Sequence, residues 1–103
     1  MSYTAEVKRN REFRYACSNM SWHLMWKEIH AAVSEEYKPV IADIQKATHD
    51  TRHVNRRVCP KVVAALESLP EEGAGDFSAP CTIADLLIVF RTAVEMKSSV
   101  YIW

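Results

Sequence analysis

Glycine and proline are scarce in this chain, with two glycines and four prolines among 103 residues. Both residue types mark the tight turns that join neighbouring strands, so a many-stranded sheet protein needs more of them. Both glycines and two of the prolines lie in residues 70–80, and this is the only stretch with the composition of a loop. The distribution of turn residues therefore predicts a mainly helical protein.

The composition also excludes several classes of protein. Apolar types make up 49% and charged types 25% of the residues, as in folded soluble domains, which argues against disorder. The longest uninterrupted apolar run has five residues, and a membrane span needs about 20. The charged N-terminus has no apolar signal-peptide region, and three widely spaced cysteines imply no disulfide framework. We therefore expect a cytoplasmic protein without membrane contact.

Apolar spacing predicts helices on both sides of residues 70–80. The first predicted helix covers residues 4–17. The second predicted helix covers residues 21–37 and has Trp22, Met25 and Trp26 on one face. Pro39 should end the second helix, because the residue before a proline is disfavoured in helical conformation. The last predicted helix begins near Thr82, which stands three residues before Asp85 in a capping-box pattern.

The region after Pro39 shows the clearest periodicity. Apolar and small residues follow one another at spacings of 4, 3, 4, 3 and 4, namely Val40, Ile44, Ala47, Thr51, Val54 and Val58. This heptad-like pattern is typical of helices in bundles and coiled coils. Because the apolar stripe continues beyond Pro60, we expect one long helix kinked there rather than two helices. The predicted fold class is all-α: a small bundle of about four helices in one domain over residues 1–103.

The apolar content exceeds what a small bundle should bury. Residues 86–90 are apolar on every face, and the C-terminus ends in four apolar residues. Surplus apolar surface marks an oligomer or partner interface. The predicted interface contains Trp22, Trp26, Leu87, Phe90, Tyr101, Ile102 and Trp103. The function predicted first is a non-enzymatic protein–protein interaction module, a small adaptor, inhibitor or regulatory subunit that self-associates, for instance as a homodimer.

A basic surface supports an alternative function. The formal net charge is zero, with 13 basic and 13 acidic residues, but residues 1–61 hold eleven of the basic ones and seven of the acidic ones. Opposite the heptad seam, a basic helix face predicted to bind an anionic partner contains Lys46, Arg52, Arg56 and Arg57, and His49 and His53 lie on the same face. The N-terminal basic residues Lys8, Arg9, Arg11 and Arg14 would extend this face. The alternative is therefore a nucleic-acid-binding regulator, although the neutral overall charge argues against it.

No pattern of catalytic or metal-binding residues stands out. His49 and His53 would share a helix face, but a metal site needs three or four ligands and no third ligand accompanies them. Cys59 has basic neighbours in Arg56, Arg57 and Lys61, which would lower its thiol pKa, yet no histidine lies within a helical turn. The sequence therefore predicts no enzyme activity, no metal and no cofactor.

Overall fold

The computed structural model describes residues 2–45, 52–69 and 83–102 of the chain. These residues form four strands, four α-helices and a single 3-10 turn at Glu35–Tyr37. In chain order the strands and helices are β1 (Ser2–Val7), β2 (Asn10–Ser18), α1 (Asn19–Ala32), α2 (Lys38–Gln45), β3 (Arg52–Val54), α3 (Cys59–Glu67), α4 (Ile83–Glu95) and β4 (Val100–Ile102).

The four strands form one antiparallel sheet in the order β2-β1-β4-β3. The C-terminal strand β4 is therefore an inner strand, paired with β1 on one side and β3 on the other. Helices α1 and α4 pack on the sheet, α3 packs against α4, and α2 packs against α1. The fold is an α+β arrangement, so the predicted all-α helical bundle is wrong.

The first predicted helix is a β-hairpin. In β1 the side chains of Tyr3, Ala5 and Val7 are buried, and the residues between them point to the opposite face of the sheet. Apolar side chains at every second position are typical of a strand that packs one face on the core. The hairpin turns at Lys8 and Arg9 without a glycine, which is why the scarcity of turn-formers was misleading.

The long third helix is also wrong, because the described residues of the heptad seam do not share one helix. Val40 and Ile44 lie in α2, Val54 lies in β3, and Val58 lies in the turn before α3, which begins at Cys59. Ala47 and Thr51 lie outside the described residues. Pro60 stands in the first turn of α3, where a proline removes no helical hydrogen bond and its fixed φ angle suits helix initiation. Pro39 likewise lies near the start of α2, so both prolines begin helices rather than kinking or ending them.

Helix α1 agrees with its prediction in the face that it buries. Its N-cap is Ser18, whose hydroxyl oxygen accepts a hydrogen bond from the Ser21 backbone N–H at 3.2 Å. The buried residues recur every three or four positions: Trp22, Met25, Trp26 and Ile29. The helix ends at Ala32, five residues before the predicted boundary at residue 37.

One apolar core lies between the helices and the sheet. Aromatic rings run through it: Tyr3 stacks on Trp22 at 5.1 Å, Trp22 meets Trp26 edge-on at 5.6 Å, and Trp26 meets Phe90 edge-on at 6.5 Å. Such ring pairs add about 0.5–1.5 kcal/mol each beyond the burial of their area. The sheet therefore buries the apolar faces of α1 and α4, which a small four-helix bundle was not expected to bury completely.

Candidate functional site

A shallow basic cleft lies between three segments of the chain: the β1–β2 turn, the end of β3 with the turn that follows it, and the connection from α4 to β4. Its volume is about 300 Å³. The lining residues come from the three segments: Lys8, Arg9, His53, Asn55, Arg56, Lys97, Ser98 and Ser99. Among the described residues that line the cleft, four are lysine or arginine and none is aspartate or glutamate. Without a carboxylate to neutralise these cations, the cleft attracts anions.

Backbone contacts join the two turns that form one wall of the cleft. The Lys8 N–H donates to the Ser99 carbonyl at 2.9 Å, and the Arg9 N–H donates to the Ser98 hydroxyl oxygen at 3.1 Å. The Arg9 guanidinium also donates to the Met96 carbonyl at 3.3 Å. Ser98 is buried, and its hydroxyl donates to the Ser99 carbonyl at 3.0 Å. These bonds place Lys8 and Lys97 beside one another at the cleft.

Lys97 has an unusual backbone conformation for its residue type. Its φ angle is 53°, in the left-handed region. The Ser98 N–H donates to the Ala93 carbonyl at 2.8 Å and the Lys97 N–H to the Val94 carbonyl at 3.2 Å, which is the Schellman pattern at the end of α4. Glycine is the usual residue at this position, because any Cβ is strained there by about 1–2 kcal/mol. Strained residues of this kind concentrate at functional sites.

The opposite wall of the cleft follows β3. The side-chain oxygen of Asn55 accepts the Arg57 N–H at 2.8 Å, and its carbonyl accepts the Val58 N–H at 2.8 Å. This turn leaves the Arg56 and Arg57 side chains exposed. Beneath it, the Cys59 thiol lies 3.6 Å from the Val54 carbonyl oxygen and 3.9 Å from that of Ser98.

Cys59 has no activated thiol. Burial disfavours the thiolate and raises the pKa of Cys59 to about 11. The lowered pKa expected from its basic neighbours is therefore wrong, because Arg56 and Lys61 extend into solvent while the sulfur lies in the core. Cys59 supports the cleft as a packed core residue.

Aromatic side chains continue the basic surface across the outer face of the sheet, the face turned away from α1 and α4. Tyr101 lies between Glu6 on β1 and His53 on β3 in the strand register. The His53 ring meets the Tyr101 ring edge-on at 5.0 Å. The Lys8 ammonium lies 5.7 Å and the Arg11 guanidinium 6.0 Å from the Tyr101 ring centroid, within cation–π range.

The one carboxylate in this row is shielded from solvent. Glu6 is 5% exposed, and its Oε1 lies 3.8 Å from Arg11 Nε. Its charge is therefore directed at Arg11 rather than outward. We call the exposed set around Tyr101 the basic face; it consists of Lys8, Arg9, Arg11, His53, Arg56, Lys97 and Tyr101 itself.

The predicted interface residues lie mostly inside the protein. Trp22, Trp26 and Phe90 are fully buried and Ile102 is 1% exposed, so in this fold they fill the chain's own core. Leu87 is half-buried beside Leu66 of α3. Tyr101 is half-buried on the basic face, and Trp103 lies outside the described residues.

The predicted basic helix face is divided by the fold. No helix carries it, because Arg52 belongs to β3 and Arg56 and Arg57 to the following turn. Lys46, His49 and the side chain of Arg52 lie outside the described part of the structure. Arg56 instead lines the same cleft as Lys8 and Arg9, two of the residues expected to extend the basic surface.

Lys97 and Tyr101 are the members of the basic face that sequence reasoning did not assign to an anion site. The alternation in residues 2–7 could have revealed the hairpin that brings Lys8 and Arg9 forward. No sequence signal marks Lys97. A helix that ends in the left-handed conformation usually has glycine at that position, so a lysine does not indicate such an end. Tyr101 was predicted to be part of an apolar tail whose four residues act together. In a strand, however, alternate residues face opposite sides, so Tyr101 lies on the other face of the sheet from its two neighbours.

Comparison of the chain with protein-family models, with curated proteins and with solved structures found no match. Among the described helices, none has both the length and the apolar character to cross a membrane. Within the same residues, no three histidine, cysteine or acidic side chains come together as metal ligands. The chemistry of the basic face is therefore the evidence on which a function can be argued.

Proposed function

We propose that this protein is a non-enzymatic binding module that binds single-stranded nucleic acid on the basic face. The observation that carries the proposal is the cleft lined by Lys8, Arg9, Arg56 and Lys97 with no carboxylate in its lining, in a chain whose net charge is zero. A cytoplasmic location, expected from the cysteine content, remains part of the proposal.

The cations of the cleft account for affinity towards phosphates. Each Lys or Arg that neutralises a phosphate releases condensed counterions. The logarithm of the binding constant therefore falls linearly with the logarithm of the salt concentration. For single strands the slope is about −0.7 per contact, and the four cations of the cleft predict a slope of about −3.

The rings on the sheet favour a single strand over a duplex. Bases of single strands are unstacked and pack on aromatic rings and on arginine guanidinium planes, whereas a duplex keeps its bases inside. Tyr101, His53 and Arg11 supply such planes directly beside the cleft. The outer face of an antiparallel sheet also gives an open platform that an extended strand can cross.

Charge reversal in the cleft tests the proposal. With a labelled oligothymidylate at low salt, we expect fluorescence anisotropy to show binding that Lys8→Glu combined with Arg56→Glu weakens about a hundredfold. The control combines Lys27→Glu with Lys61→Glu, which changes the charge equally at exposed positions that do not line the cleft. Equal losses in both variants, no binding by the wild type, or a preference for duplex would each contradict the proposal.

Lys97→Gly separates the role of the lysine in binding from its role in folding. Glycine adopts the left-handed conformation without strain but has more freedom in the unfolded chain, so the free energy of unfolding should stay unchanged or rise by up to about 1 kcal/mol. Oligothymidylate binding should weaken nevertheless, because one cation leaves the cleft. Urea denaturation and anisotropy on the same samples measure both effects. A large loss of stability would show that Lys97 is retained for structural reasons.

A further inference from the structure

A second pocket adjoins the basic cleft. Its volume is about 240 Å³, and it lies between α2 and the segment that contains β3. His53 and Asn55 line both the pocket and the cleft, so the two cavities meet at these residues. Sites for drug-sized ligands have volumes of about 300–1,000 Å³, and a pocket of this size therefore suits a single ring system.

Branched aliphatic side chains form most of the pocket wall. Val40 and Ile44 stand one turn apart on α2, and they are joined by Val54, Val58 and Ile102 from β3, the turn after it and β4. Ile44, Val54 and Ile102 are buried, whereas Val40 and Val58 are half-buried. Such a lining accepts the flat face of a ring and disfavours a strongly hydrated group.

The polar groups of the pocket are a carboxylate and an amide. Asp43 of α2 is exposed, and no other described residue donates a hydrogen bond to its carboxylate or forms an ion pair with it. The side-chain oxygen of Asn55 accepts the Arg57 N–H at 2.8 Å, so its NH₂ group remains to donate to a ligand. The pocket therefore offers two acceptor oxygens and one donor group beside an apolar wall.

We propose that this pocket, which we call the base pocket, binds a guanine base of a single strand whose phosphates lie in the basic cleft. The inference rests on the proposed function and adds the base that the strand presents. A carboxylate binds two neighbouring, parallel N–H groups particularly well. Guanine has such a pair, N1–H and the exocyclic N2–H, on one edge, and its O6 lies beside them to accept from the Asn55 amide.

The other three bases do not fit a carboxylate in this way. Adenine and cytosine each have an amino group next to a ring nitrogen with a lone pair, and this lone pair would face a carboxylate oxygen. Thymine has one N–H between two carbonyl oxygens. Asp43 therefore favours guanine, because its edge gives a donor to both carboxylate oxygens.

Charge distinguishes guanine from another common partner of a carboxylate, the guanidinium group of an arginine in a basic peptide. Such a peptide would bring further positive charge to the four cations of the adjoining cleft, which would repel it. A nucleotide has a donor edge on its base and a negative charge on its phosphate, joined through one sugar. These two ends match the base pocket and the cleft that meets it at His53 and Asn55.

Oligothymidylate with and without one central guanine tests the base pocket. We expect fluorescence anisotropy to show about tenfold tighter binding of the strand that contains guanine. This gain lies in the lower part of the range for a bidentate contact with a base, because Asp43 is exposed to solvent. One adenine or one cytosine at the same position should give no gain. Hypoxanthine, which is guanine without the N2 amino group, should lose most of it.

Asp43→Asn tests the carboxylate. An amide has one oxygen and one NH₂ group, so it cannot accept from both N–H groups of guanine, and the ratio of the two dissociation constants should fall from about ten to about one. Glu36→Gln is the matched control, because it neutralises an exposed carboxylate that lines neither cavity, and its ratio should stay at about ten. The ratio cancels the effect that losing one negative charge has on the affinity for any strand. Circular dichroism of each variant verifies folding.

Guanosine 5′-monophosphate separates the base pocket from the proposed function. In two-dimensional NMR spectra it should shift the amide signals of Val54, Asn55 and Val58 more than adenosine 5′-monophosphate does, and Asp43→Asn should remove the difference. Shifts of this kind without binding of any strand would support the base pocket and contradict the proposed function. Equal binding of the strands with and without guanine, or a preference for guanine that persists in folded Asp43→Asn, overturns the base pocket and leaves the proposed function in place. No response to any strand or to either monophosphate overturns both.

Discussion

Deletion of residues 100–103 should unfold the protein. The deletion removes β4, which lies between β1 and β3 and gives β3 its place in the sheet. Val100 and Ile102 are fully buried, and each contributes roughly 1.5–3 kcal/mol by leaving water. The loss of two such side chains and of a central strand is comparable to the whole stability of a small domain, about 5–15 kcal/mol. Circular dichroism and thermal melts of the truncated protein measure the effect.

The same deletion distinguishes the structure from the sequence-based expectation. An apolar tail that docks on a partner would be lost with little change in helix content, and only the oligomer mass would fall. Two substitutions serve as controls: Ile102→Asp places a carboxylate in the core and should unfold the protein, whereas Tyr101→Asp lies on the outer face and should not. A truncated protein with a native melting curve would contradict the position of β4.

Leu86→Ala should lower the free energy of unfolding by about 3 kcal/mol. Leu86 is fully buried on α4, and removing a buried leucine costs about 2–5 kcal/mol through lost transfer energy and the cavity that remains. Leu24→Ala on α1 is the matched control, because the same atoms leave a side chain that is 43% exposed. We expect the control to lose about 1 kcal/mol or less.

Urea denaturation of the two variants gives both values under identical conditions. Equal losses would mean that the outward and inward faces of the two helices are assigned incorrectly. A loss below about 1 kcal/mol for Leu86→Ala would mean that the core around α4 collapses into the vacated space more fully than close-packed interiors normally do.

The basic face shows how far the site could be predicted. The excess of cations in residues 1–61 and the involvement of Arg56, Lys8 and Arg9 could be read from the sequence. The surface was expected on one helix, however, and it is assembled from two turns and the end of α4. Lys8 and Lys97 are 89 positions apart, and only the pairing of β1 with β4 brings their segments together.

The sequence by itself determined the helices with a strong local signal. The spacing of Trp22, Met25, Trp26 and Ile29 defines the buried face of α1. A helix repeats every 3.6 residues, so these four large apolar side chains lie on one side of it, and that side packs on the core. For α4 the sequence predicted a helix but no inward side, because residues 86–90 are apolar on every face; the structure places Leu86, Val89 and Phe90 inward. Such signals are local, since each residue contributes to the same face of one continuous element.

Only the tertiary structure decided the strands and therefore the fold class. β3 and β4 have three residues each, too few for any period to be recognised. Val54 fits a heptad and Ile102 fits an apolar tail equally well, so the local pattern leaves their conformation open. Their backbone groups become hydrogen-bonded only when distant segments align, with His53 opposite Tyr101 and Val7 opposite Val100. Strand pairing is a contact between separate parts of the chain, and its energy does not belong to either segment alone.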